Sequence, residues 1–200
     1  MKIITKICLT LTLLCSCLLS GCSGEKPIEK MKKDIYDSRN CQMTVQFENF
    51  PFFRDINFIM QVDDDILYTP VNTFTDESYV HYVDDKSYQY YKNPNGQWEK
   101  LEVKDDEESI TNQIDYENIL KDENFEKIEN TDNQYKLKKS FDTLDIVDMI
   151  VTINDDSYVI SGYLSSKELN SELLGDNFKI KINVIYDKIG DISLSLPEIK

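Results

Sequence analysis

With 200 residues, 40% of them hydrophobic, and a formal charge of −15, the chain is long enough to bury the core of one domain. Such acidity argues against nucleic acid as a partner, because a phosphate backbone would repel it. The first 33 residues hold six lysines against two glutamates, so from Asp34 onward the chain carries −19. The body should therefore stand off an anionic membrane while the basic stretch before it can lie against one. Alanine is absent, and Ile, Asn, Lys, Asp and Tyr abound, as an AT-rich genome of the low-GC Gram-positive kind would produce.

An apolar run opens at Ile7 behind Lys2 and Lys6 and closes at Leu19-Ser20-Gly21-Cys22. A basic start, an apolar core of about 7 to 15 residues and small residues before a cysteine make a signal peptide. The run falls short of the roughly 17 to 25 residues a helix needs to cross a bilayer. Its ending resembles the lipobox of bacterial lipoproteins. The resemblance implies cleavage between Gly21 and Cys22, with a diacylglycerol on the Cys22 thiol, and so a membrane-anchored protein on the extracytoplasmic face of the cell membrane. Residues 1–21 are then signal, 22–33 a lipidated tether, and 34–200 a single domain. Once Cys8, Cys15 and Cys17 leave with the signal and Cys22 is acylated, only Cys41 remains, so stability must come from packing rather than from a disulfide. Cys41 itself reads as a small buried apolar residue.

Residues 23–33 are polar, contain Gly24 and Pro27 and show no clear apolar stripe, so they read as a flexible tether with at most a helical turn around Met31 to Tyr36. From Met43 the period becomes two: Met43, Val45 and Phe47 face one way, Thr44, Gln46 and Glu48 the other, as in a half-buried strand. Phe58, Met60 and Val62 resume the alternation beyond Pro51. Asp63-Asp64-Asp65 turns the chain into a third strand at Ile66 to Tyr68. Tyr79 to Val83, Ser87 to Lys92 and Gln97 to Val103 form an antiparallel meander, turned at Asp84-Asp85-Lys86 and at Asn93-Pro94-Asn95-Gly96, where Asn-Gly is a favoured tight-turn pair.

Ile110, Ile114, Ile119 and Leu120 make a helical stripe, predicting a helix over Thr111 to Lys121. Gln134 to Lys139 alternates again. The next segment reads two ways: a helix capped by Ser140 with Phe141, Leu144, Val147 and Ile150 on one face, or a strand through Ile150, Thr152 and Asn154. Tyr158, Ile160, Gly162 and Leu164 line one side of a strand. Ser165-Ser166-Lys167-Glu168 resembles a capping box for a helix ending near Gly175. Phe178, Ile180, Ile182, Val184 and Tyr186 then face inward before a final hairpin into Ile192, Leu194 and Leu196. The expected class is α+β: about nine strands in a curved, mostly antiparallel sheet, with two or three short helices covering its open side.

This order of parts, with Tyr88-Gln89-Tyr90-Tyr91 followed by Gly96-Gln97-Trp98-Glu99-Lys100, resembles the LolA/LppX-like lipoproteins. That resemblance implies an incompletely closed β-barrel and a lipid or other apolar ligand between sheet and helices. The family's N-terminal helix before the first strand reads as short or missing here. No binding residue transfers by position.

Catalysis is not expected. The single histidine, His81, sits within a strand, with no nucleophile motif around it. The acid clusters at Asp63 to Asp65, Asp84-Asp85 and Asp155-Asp156 fall at turns and lack the spacing of a calcium loop. One histidine and one free cysteine make a poor zinc site; no metal or cofactor is implied. The aromatic set Tyr79, Tyr82, Tyr88, Tyr90 and Trp98 is the candidate surface for an apolar ligand or a partner, and alternation should split it between two faces. The expected function is non-catalytic binding of a lipid or other apolar ligand; the competing expectation is a protein-interaction module of the cell envelope.

Overall fold

The computed structural model describes residues 26–49, 56–71, 76–84, 86–103, 119–139, 146–164 and 180–199. The described chain runs as helix α1 (Pro27–Tyr36), strands β1 (Asn40–Glu48), β2 (Ile56–Asp63), β3 (Ile66–Thr69), β4 (Ser78–Val83), β5 (Lys86–Lys92) and β6 (Trp98–Val103), and a 3-10 turn (Asp122–Asn124). It continues with β7 (Phe125–Lys127), β8 (Gln134–Leu137), β9 (Ile146–Ile153), β10 (Tyr158–Leu164) and β11 (Ile180–Asp187). All eleven strands form one open antiparallel sheet in the order β6-β5-β4-β3-β2-β1-β11-β10-β9-β8-β7. The class is α+β, with one α-helix among the described residues. Of the other expected helices, residues 111–118, 140–145 and 165–175 lie outside the described residues, as do Gly21 and Cys22.

Two meanders, β1 to β6 and β7 to β11, are joined in the middle of the sheet by the pairing of β1 with β11, from Gln42↔Asp187 to Glu48↔Lys181. The register puts Val45 opposite Val184 and Phe47 opposite Ile182. Ile160 then lies opposite Val184 and Val151 opposite Ile160, so the inward faces read from alternation in β1, β10 and β11 share one side of the sheet. Onto that side packs α1, whose Ile28, Met31 and Ile35 are buried with Met149, Val151 and Ile160 in the main core.

Helix α1 corrects the flexible tether. Its apolar residues are few but fall at helical spacing, one stripe deep enough to bury against a sheet. Pro27 at the first turn costs no hydrogen bond there. The cap comes from far along the chain: the Asp122 carboxylate accepts hydrogen bonds from the backbone N–H of Ile28 (3.3 Å) and Glu29 (3.0 Å). A helix before the first strand is thus present.

Three further expectations are revised. The β5–β6 turn is not a two-residue Asn-Gly turn. Asn93 and Gln97 are its paired ends, Gly96 alone takes a positive φ (76°), and the Asn93 side chain accepts from the N–H of Asn95 (2.9 Å) and Gln97 (3.0 Å). Pro94 favours the start of such a three-residue loop. The ambiguous segment is strand β9, but Met149 and Val151 face the core rather than Ile150 and Thr152. The phase changes because Asp148, with φ of 54°, makes a bulge opposite Gly162. The final hairpin is not a strand pair: residues 192–199 have no regular structure, and side chains hold them. Asn40 Oδ1 accepts from Ile192 N–H and Asp63 Oδ2 from Leu194 N–H, both at 2.8 Å. Strand β7, only three residues long, had no readable signal.

Candidate functional site

The β3 to β6 meander sorts the candidate aromatics by register. Tyr68 lies opposite Tyr79, Tyr79 opposite Tyr90, and Tyr90 opposite Lys100, while His81 faces Tyr88 and Lys92 faces Trp98. Tyr79, Tyr88, Tyr90 and Trp98 therefore share one face. Because Gln61 lies opposite Tyr68 and Val62 opposite Leu67, this is the face turned away from α1. Tyr82 is on the other side, in the same cross-strand row as Ser87 and Val103. The split between faces was legible in the sequence; which face belonged to the core was not, because it depends on the register from β1 to β3.

On the outer face the rings form a continuous ladder. Tyr68 and Tyr79 stack tilted at 4.6 Å between centroids, and Trp98 meets Tyr79 edge-on at 5.5 Å. Two lysines cover the ring faces: Lys92 Nζ sits 4.9 Å from the Trp98 centroid, and Lys100 Nζ 3.8 Å from Tyr88 and 5.5 Å from Tyr90. Tyr90 is only 5% exposed, so it is the floor of the ladder rather than its surface. At one end Glu77 accepts from Lys92 (2.6 Å) and from the Tyr68 hydroxyl (3.2 Å). The Lys92 hydrogen bond holds the Glu77 carboxyl below the usual range, while burial and then the Glu77 charge push Tyr68 and Tyr79 up. These phenols stay neutral, so the ladder offers ring faces and hydroxyls rather than a base.

The core-side face of the same strands is different. The row Val62, Leu67, Val80, Gln89, Leu101 continues the apolar side of the sheet beyond β1 and β2. At its far end Leu101 and Tyr82 are each 54% exposed, and Val103 is exposed beside them. Sheet faces normally bury such residues, so this apolar surface has room for another apolar body.

A third feature was missed in the sequence. A cavity of about 600 Å³ opens between the C-terminal end of α1, the β9–β10 turn and the end of β11. Asp34, Asp155, Asp156, Asp187 and Asp191 line it, and the Tyr158 hydroxyl donates to Asp34. Asp187 Oδ1 is buried there without a hydrogen-bond partner in the described structure. Each acid reads as a separate turn or terminus in the sequence, and the β1–β11 and β10–β11 pairings together gather them. Among the described residues no three His, Cys, Asp or Glu side chains converge as metal ligands.

His81 Nε2 pairs with Asp65 Oδ2 at 2.8 Å across the β3–β4 ladder, a contact that orients the imidazole. The described contacts of His81 include no nucleophile. Cys41 is buried, and burial first, then the nearby Asp187 charge, raises its thiol pKa, which is the opposite of what a reactive thiol needs. Neither a family model nor a curated protein matches this sequence.

Proposed function

We propose that this protein is a non-catalytic, lipid-anchored lipoprotein of the cell envelope, LolA/LppX-like in architecture, which holds a lipid or other apolar ligand against the core-side face of β3 to β6. The observation that carries this reading is the exposed apolar end of the β3 to β6 face, Leu101 in one cross-strand row and Tyr82 with Val103 in the next, on the side of the sheet where α1 packs. Burial of that row by a ligand supplies the driving force, at about 25 cal/mol per Å² of apolar surface. The lipobox Leu19-Ser20-Gly21-Cys22 supplies the address.

Mass spectrometry of organic extracts from the purified, unacylated domain should find a bound lipid, and a fluorescent fatty acid should bind it. Leu101→Asp should weaken probe binding about tenfold or more, since a charge replaces an apolar contact. An empty extract together with no probe binding refutes the apolar-ligand reading. The anchor is tested apart from it: Cys22→Ser should move the protein out of the membrane fraction.

The outer ladder favours a second reading, an interaction module that offers Tyr79, Tyr88 and Trp98 to another envelope protein. Its rings form a contiguous surface of the kind enriched at interfaces. A photo-crosslinking residue at position 88 that captures protein, with one at 101 that captures nothing, would decide for it. Lipid captured at 101 decides for the first.

A further inference from the structure

Helix α1 carries its charge opposite its buried stripe. With Ile28, Met31 and Ile35 buried, the helix is held to the body. Lys26, before its first turn, and Lys30 and Lys33 within it are exposed, and their spacing of four and three residues stacks them along one side. Four lysines in 26–36 stand against Glu29 and Asp34, a basic element in a protein of net charge −15. The opposite end of the helix reaches the acid-lined cavity through Asp34.

The helix also changes the reach of the anchor. Only four peptide units separate Cys22 from Lys26, a span of at most about 14 Å. A flexible segment running to residue 33 would let the body drift about 40 Å away. Instead the basic side of α1 starts within about two Debye lengths of the acylated residue.

We propose that the exposed Lys26, Lys30 and Lys33 side of α1 docks on anionic phospholipid headgroups and fixes the domain in one orientation. The proposal rests on the lipid anchor at Cys22 argued above. Its partner is the membrane that holds that anchor, chosen by charge and by reach. Glu29, which pairs with Lys26 at 3.1 Å, and Asp122 and Glu123 close to Lys26 reduce the attraction. The contact is therefore weak alone and depends on the proximity the anchor provides.

The test uses residues 22–200, which retain every described contact, coupled through Cys22 to a maleimide phospholipid. Buried Cys41 is protected from the reagent. This chemical anchor works whether or not the cell acylates Cys22, and the mass of the native chain answers that question separately. The coupled protein is placed on nanodiscs of phosphatidylcholine alone or mixed with phosphatidylglycerol and pulsed with an amine-acylating reagent. Lys26, Lys30 and Lys33 should label about fivefold more slowly on the anionic discs, the factor a favourable basic contact carries. High salt should abolish the difference, and Lys86 and Lys188 should label alike on both discs. Equal labelling of α1 on the two compositions overturns the proposal, as does equal protection of Lys86 or Lys188. The double variant Lys30→Glu/Lys33→Glu, its fold checked by circular dichroism, should lose the protection at Lys26; protection kept there also overturns it.

Discussion

Asp122 caps helix α1 across a sequence separation of 94 residues from Ile28. The helix has no side-chain cap of its own. Asp122→Ala should cost about 1 to 2 kcal/mol, the range for losing an N-cap, while Asp122→Asn should keep most of it; urea unfolding curves of the three proteins check this. Glu77 gives a pH-dependent counterpart. Lys92 lowers its folded pKa, so its contribution is present above the unfolded value of about 4.3 and fades as pH falls through that value toward the folded one. Lys92→Met should therefore lower stability at pH 6, with a gap that narrows below about pH 4, as thermal melts across that window would record. A gap that widens toward acid would contradict the assigned ion pair. Neither contact was readable from the sequence, since nothing local sets Asp122 or Glu77 apart from the 37 acidic residues of the chain. Their roles depend on which strands meet.

At the scale of elements, Gly162 and the β9 bulge form one device. A Cβ on Gly162 would lie 2.4 Å from Ile146 Cγ2 and 2.9 Å from the Val147 carbonyl oxygen. The side chain can shift but the carbonyl cannot, so Gly162→Ala should destabilise the fold by about 1 to 3 kcal/mol, as overpacking does. Adding Ile146→Val should recover little, because valine keeps the Cγ2 that the new Cβ would strike and leaves the Val147 carbonyl in place; chemical denaturation of the single and double variants checks this. The bulge also explains why β9 was ambiguous. Ile146 is buried before Asp148, and Met149 and Val151 after it, so the inward residues change parity within one strand. A search for unbroken alternation finds Ile150 and Thr152 instead. Strands β1, β10 and β11 have long regular runs and were legible with their faces. Helix α1 was not, because three buried apolar residues among three lysines give a faint stripe whose meaning appears only when a sheet is there to receive it.

The whole molecule is governed by the pairing of β1 with β11, which leaves β6 and β7 as the two edges of the sheet. Sequence alternation showed the strands without their partners, so it could not show that β6 and β7, successive in the chain, are opposite edges of the sheet. Laid flat, eleven strands span about 48 Å from first to last. The 22 steps from Val103 at the end of β6 to Phe125 at the start of β7 reach about 76 Å if fully extended, and about 56 Å if they include the helix the sequence suggests over 111–121. That length lets the sheet lie flat or curl, and accumulated strand twist favours curling in a sheet this wide. Curling toward α1 would make the core-side face of β3 to β6 concave, the shape an enclosed apolar ligand requires. Spin labels at Glu102 on β6 and Glu126 on β7, in a chain with Cys22→Ser, measure the approach directly. Losing the half-exposed Glu102 to Lys86 pair for the label should cost less than about 1 kcal/mol. A distance well below about 48 Å supports the concave sheet. A distance at or above it would mean that the sheet is flat, leaving Leu101 and Val103 as a surface patch with no enclosure for a ligand.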